Sequence, residues 1–135
     1  MAKRANKPDY QVFVSHATAD KWLATTVCEK IEATHATTFR DDRDIRGGDE
    51  IPEEIRAQIK QSRELVVLLT PESVDRPWVL LEVGAAWGCR KNYRIVPVIC
   101  HVTVDAIPDI IKGKKAYHLN EFDQYLKELE KRVAQ

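Results

Sequence analysis

The residues best placed to do chemistry are Glu82 and Trp78, four positions apart in PWVLLEVG. That spacing sets both on one face of a helix. The neighbours Val79, Leu80, Leu81 and Val83 are apolar. A carboxylate in such company is paired, solvated in a cleft, or catalytic. Its plain structural reading is a rim glutamate bound to an Arg or Lys, and that of Trp78 is an aromatic anchor for the helix. Ser15 and His16, in FVSHATAD, could contact phosphate or ribose. A lone histidine is as readily a solvated or hydrogen-bonded ring. Asp41, Arg43 and Asp44 open a loop of alternating charge, DDRDIRGGD, in which Gly47-Gly48 would permit movement. That loop reads either as a solvated connection or as a flap that meets substrate or another protomer.

Some chemistries are disfavoured. No second His or Cys is spaced with His16 to complete a metal site, so no metal is expected. The loop after the first strand lacks G-x-G-x-x-G, which argues against a Rossmann-type pyrophosphate site. Cys28, Cys89 and Cys100 show no C-x-x-C spacing and read as buried or idle thiols of a reducing cytosol. Lys+Arg and Asp+Glu both number 21, so the formal net charge is zero. Nucleic-acid and membrane-surface binders usually carry a basic excess, so neither partner is expected. No apolar run approaches the roughly 18 residues of a membrane span, and the basic start has no apolar core of a secretory signal. A cytoplasmic location is the expectation.

The elements that position these residues alternate along the chain. Met1 to Asp9 reads as a loose tail, and residues 10–135 as one domain. Tyr10 to Val14, Thr37 to Arg40, Leu65 to Thr70, Ile95 to Cys100 and Ala116 to Leu119 read as strands. Pro97 conflicts with a central strand, because proline donates nothing to a ladder. Helical spacing covers Asp20 to Thr34, with Leu23, Val27 and Ile31 on one face. A stripe of Ile51, Ile55 and Ile59 follows, with Asp49 a candidate N-cap. Trp78 to Arg90 reads as a helix with Pro77 at its first turn. A short helix is placed near Ile107 to Ile111. Asn120 is a candidate cap for a last helix that buries Phe122, Tyr125, Leu126, Leu129 and Val133. Such alternation implies a flavodoxin-like, doubly wound α/β fold: five parallel strands in the order 2-1-3-4-5, helices on both faces. Ligands in that class sit at the carboxyl ends of strands 1 and 3. This selects the loops Ser15 to Asp20, Asp41 to Gly48 and Pro71 to Pro77.

Four segments in order resemble the Toll/interleukin-1 receptor (TIR) domain family. FVSHATAD resembles its first strand and loop. FRDDRDIRGGDEI resembles its second strand and BB loop, especially in bacterial members. SRELVVLLTPESVDRPWVLLE resembles its third strand and W-x-x-x-E helix start, and RIVPVI its fourth strand. The resemblance runs over nearly the whole chain from Tyr10. It implies an NAD+ glycohydrolase or cyclase acting in bacterial antiphage defence, with Glu82 as the essential glutamate. NAD+ would be the substrate and no cofactor would be needed. Nicotinamide leaves from a positively charged ring, so no general acid is required, and the transition state resembles an oxocarbenium ion. A carboxylate on the ribose hydroxyls would stabilise that charge. Water would then give ADP-ribose, and capture by adenine a cyclic product. The resemblance also implies self-association involving the 41–49 loop, and a fused or separate sensor that triggers it. Some NAD-cleaving relatives stack an aromatic flap residue on nicotinamide. No aromatic lies between Arg40 and Arg63, so His16, Trp78 or a second protomer would have to substitute. The alternatives are a non-catalytic TIR–TIR interaction module and a nucleoside deoxyribosyltransferase-like enzyme.

Overall fold

The computed structural model describes residues 9–41 and 52–135. Its strands are β1 (Gln11–Ser15), β2 (Thr37–Phe39), β3 (Glu64–Leu69), β4 (Arg94–Ile99) and β5 (Tyr117–His118). Its helices are α1 (Lys21–Glu32), α2 (Glu53–Gln61), α3 (Pro77–Cys89) and α4 (Phe122–Ala134). The strands form one sheet in the order β2-β1-β3-β4-β5, every neighbouring pair parallel. This is the expected flavodoxin-like arrangement.

Strand alternation divides the core in two. Val12, Val14, Val66, Leu68, Val96 and Val98 point to the layer of α1 and α4. Phe13, Leu65, Val67, Leu69, Ile95 and Ile99 point to the layer of α2 and α3. All six residues of β3 are buried. A strand covered on both faces favours apolar groups on both, which explains why Leu65 to Leu69 run apolar without alternation after the single charged residue, Glu64.

Pro97 is accommodated by direction. The Cys100 N–H donates to the Leu69 carbonyl, so Cys100, and with it Val98 and Val96, faces β3. Pro97 therefore turns its nitrogen to the other side, where β5 begins only opposite Val98. No ladder donor is needed there.

Three expectations about helix ends are corrected. The N-cap of α2 is Pro52, not Asp49, which lies outside the described residues, as does Ile51. Proline restricts the residue before it to extended backbone, so a helix is readily started by Pro52 and not carried through it. Glu53 and Glu54 then supply the negative charge that suits a first turn. Asn120 does not cap α4: it lies inside a 3-10 turn, Leu119–Glu121, and Glu121 takes the N-cap position without a side-chain bond. The short helix near residues 107–111 is a 3-10 turn, Asp109–Ile111.

One buried charge ties the layers together at the starting end of β3. The carboxylate of Glu64 is fully buried. Arg132 of α4 donates to it twice, from Nε at 2.9 Å and from an Nη at 3.0 Å. The hydroxyls of Tyr10 and Tyr125 donate to its two oxygens at 2.6 and 2.5 Å. Four hydrogen bonds, two of them from the bidentate counter-ion, complete its valences, the condition under which a charge is tolerated in a core.

Candidate functional site

At the opposite end of the sheet the strand termini converge. Ser15 is the last residue of β1, and Asp41 lies just beyond β2. Thr70 follows β3, and its hydroxyl donates to Asp20 Oδ2 at 2.5 Å, joining the β3 loop to the β1 loop. Ser73 Oγ donates to the Leu68 carbonyl at 2.6 Å and accepts from the Thr70 N–H at 2.8 Å, which fixes the turn leading to α3. Arg76 is the N-cap of α3, and Pro77 occupies its first turn as expected.

α3 carries Glu82 inward to this end. The carboxyl is 1% exposed. Ser15 Oγ donates to its Oε1 at 2.6 Å. Its Oε2 has no hydrogen-bond partner among the described residues. Burial raises its pKa from the ordinary carboxyl value to about 8; the Ser15 hydrogen bond pulls down and the charge of Asp41 pushes up. The site thus holds a glutamic acid that is neutral at pH 7, where an exposed glutamate is ionised. Among the described residues no Arg or Lys pairs with it, so the reading as a rim ion pair is not what the structure adopts.

The other candidates take distinct places. His16 is 2% exposed, and its Nδ1–H donates to the carbonyl of Ala17 at 2.8 Å, which fixes the tautomer. Asp41 is buried at the β2 terminus and acts on Glu82 through its charge. Trp78 is 4% exposed and packs in the core between the sheet, α2 and α3. It also borders a small cleft of about 70 Å³ with Ala17, Thr18 and Arg76. Arg43, Asp44 and Gly47-Gly48 lie outside the described residues. Among the described residues no group of three or more His, Cys, Asp or Glu is placed to hold a metal ion. Cys28, Cys89 and Cys100 are free thiols.

Sequence reasoning missed two features. The Thr70–Asp20 link was hidden because Asp20 reads as a helix start. Glu64 heads an apolar run as its one charged residue, and that isolation was the available signal of a buried, fully partnered charge.

Comparison with known proteins agrees with this geometry. The TIR domain family model TIR_2 matches residues 12–132. A sequence search of curated proteins finds no match. Among solved structures, the TIR domains of the activated Roq1 resistosome, which recognises the pathogen effector XopQ, superpose with a TM-score of 0.66 at 16% identity, over 93% of this chain and 98% of that one. A TIR-STING receptor from C. gigas, solved with 2',3'-cGAMP, gives 0.70 at 23% identity, over 91% of this chain and 40% of that one. The TIR domain of the Toll-related receptor TRR-2 from Hydra magnipapillata gives 0.66 at 18% identity, over 92% and 98%. These likenesses are of fold; the match to the family model, running from β1 to the last turn of α4, shows that the chain belongs to the TIR domain family.

Proposed function

We propose that this domain cleaves the nicotinamide–ribose bond of NAD+, with Glu82 as the catalytic residue. The observation that carries the reading is the state of that carboxyl: buried where the strands end, one oxygen held by Ser15, the other without a hydrogen-bond partner among the described residues. Perturbed carboxyls at such places are more often functional than structural. When ionised, the free oxygen is suited to accept from a ribose hydroxyl and to stabilise positive charge developing at the anomeric carbon. Nicotinamide departs as a neutral ring with the bonding pair. Water then adds to the sugar and loses a proton, giving ADP-ribose, or the adenine ring adds instead and closes a cyclic product.

A setting in bacterial antiphage defence, inside the cytoplasm, fits an enzyme that consumes a central metabolite and must be held inactive until triggered. Assembly is the trigger this chain suits. His16 and Trp78 are both buried, so neither ring offers an open face for nicotinamide within one chain. A second protomer would supply that face, through contacts involving the 41–49 loop. Ser15, His16, Asp41, Arg43, Asp44 and Trp78 are proposed to shape the substrate site, Ser15 and Asp41 by acting on Glu82.

The test is nicotinamide release from NAD+ by pure protein at high concentration, with folding checked by circular dichroism. Glu82→Gln and Glu82→Ala should each lower the rate by at least ~100-fold. An unchanged rate in both folded variants overturns the assignment.

A second reading, a non-catalytic interaction module, is favoured by the outer face of α3. Leu80, Leu81 and Trp87 are exposed there, and Glu82 is the only charged residue in the helix. Absence of release under forced assembly would select it. Nucleoside turnover without NAD+ turnover would select the deoxyribosyltransferase-like alternative.

A further inference from the structure

A depression of about 270 Å³ opens between the starts of β4 and β5 and the last turns of α4, at the opposite end of the sheet from Glu82. Its floor includes Val96 and Tyr117. Arg94, Lys114, Lys115 and Arg132 line it, against one acid, Glu128. Even with Arg132 set against the buried Glu64, a chain whose formal charge is zero overall gathers a positive excess in one concavity.

The cations are not equivalent. Arg132 is preorganised: Nε and one Nη are spent on Glu64, the Tyr10 hydroxyl lies beside it, and its guanidinium is 5.8 Å from the Tyr125 ring centre, so it is a fixed part of the wall. Lys115 is exposed at the rim, with its Nζ 5.0 Å from the centre of the Tyr117 ring. Arg94 makes no hydrogen bond or ion pair among the described residues. Lys114 Nζ reaches the Tyr93 carbonyl at 3.4 Å. The opposing Glu128 accepts the hydroxyl of Tyr117 at 2.5 Å, which occupies one of its oxygens.

We propose that this depression binds the phosphate group of a small phosphorylated metabolite. A tetrahedral oxyanion accepts from a guanidinium fork and ammonium donors together, and Arg94 has its full fork to give. The volume falls below the roughly 300–1,000 Å³ of sites for drug-sized ligands, which suits a phosphate monoester rather than a dinucleotide. The Val96 and Tyr117 floor offers an apolar surface for the carbon part. This site is separate from Glu82 and does not depend on the reading of NAD+ cleavage.

Titration of isotopically labelled protein with inorganic phosphate and, separately, with AMP tests it by NMR. Both should shift the amides of Arg94, Lys115 and Tyr117. AMP binding tighter than phosphate identifies an organic phosphate, and equal affinity identifies the free ion. The double variant Arg94→Ala/Lys115→Ala should weaken binding by about tenfold or more, and Glu82→Gln should leave it unchanged. Arg132 stays intact in this test because it holds Glu64. The proposal is overturned if neither probe shifts these amides, if sodium chloride at matched ionic strength shifts them equally, or if the folded double variant binds as the native protein does.

Discussion

The proposed cleavage uses the carboxyl of Glu82 as an anion, whereas burial favours its acid form. With its pKa near 8, the proposed NAD+ cleavage should rise with pH through that value, since the ionised form alone stabilises the ribosyl cation; a kcat/KM profile flat from pH 6 to 9 would sink this account. Stability runs the other way. The folded pKa lies above the ordinary carboxyl value, so the native state binds a proton that the unfolded chain releases. The contribution is complete below about pH 4.5 and is lost as pH rises through about 8. At pH 7 the cost relative to an uncharged group is on the order of 3 kcal/mol. Glu82→Gln should therefore raise the melting temperature by several degrees at pH 8 and by much less at pH 5. Ser15→Ala removes the hydrogen bond that pulls the pKa down. The pH profile of that variant should move to higher pH, with kcat falling more than KM changes; a merely structural serine would leave the midpoint where it was.

Elements show what a one-dimensional reading reaches. The buried run of β3, Pro77 opening α3 and the inward face of α4 follow from spacing and residue type, because each is dictated within one segment, and the strand order follows from the class that such an alternation of strands and helices implies. The same reading located Glu82, through a charged residue among Val79, Leu80, Leu81 and Val83. It missed what two distant segments decide together. Asn120 is a good cap by composition, yet the chain needs a 3-10 turn there to bring Phe122 onto the core. Pro97 became acceptable only once the short β5 was placed beside it. Nothing local sets Arg132 apart from the other cations of α4, because its partner lies 68 positions earlier. Arg132→Met should cost on the order of 3–5 kcal/mol in denaturant unfolding, because it strands the Glu64 charge. Burial and the nearby Glu64 carboxylate raise the Tyr10 hydroxyl to about pKa 12, so in the native protein its absorbance should titrate well after that of an exposed tyrosine.

Across the whole molecule, the two layers are unequally finished. α4 is amphipathic and turns charge to solvent, whereas α3 presents exposed Leu80, Leu81 and Trp87 beside a groove of about 600 Å³ whose walls include Gly84 and Gly88. A helix that is apolar on every side is usually covered on every side. If this face takes part in the proposed assembly, Trp87→Lys should weaken self-association about tenfold or more in sedimentation equilibrium. It should also lower NAD+ turnover at high protein concentration while leaving the fold and the Glu82 pKa in place.

The Arg132 clamp also sets where the domain can be cut. A chain ended after Lys131 would retain all five strands, Ser15 and Glu82, and would look complete by its list of site residues. It would nevertheless leave the buried Glu64 carboxyl without its counter-ion beneath α4. The usable boundary is therefore drawn by a counter-ion rather than by the last strand, and fusions or truncations on that side should keep the helix intact through Val133, the last residue it buries.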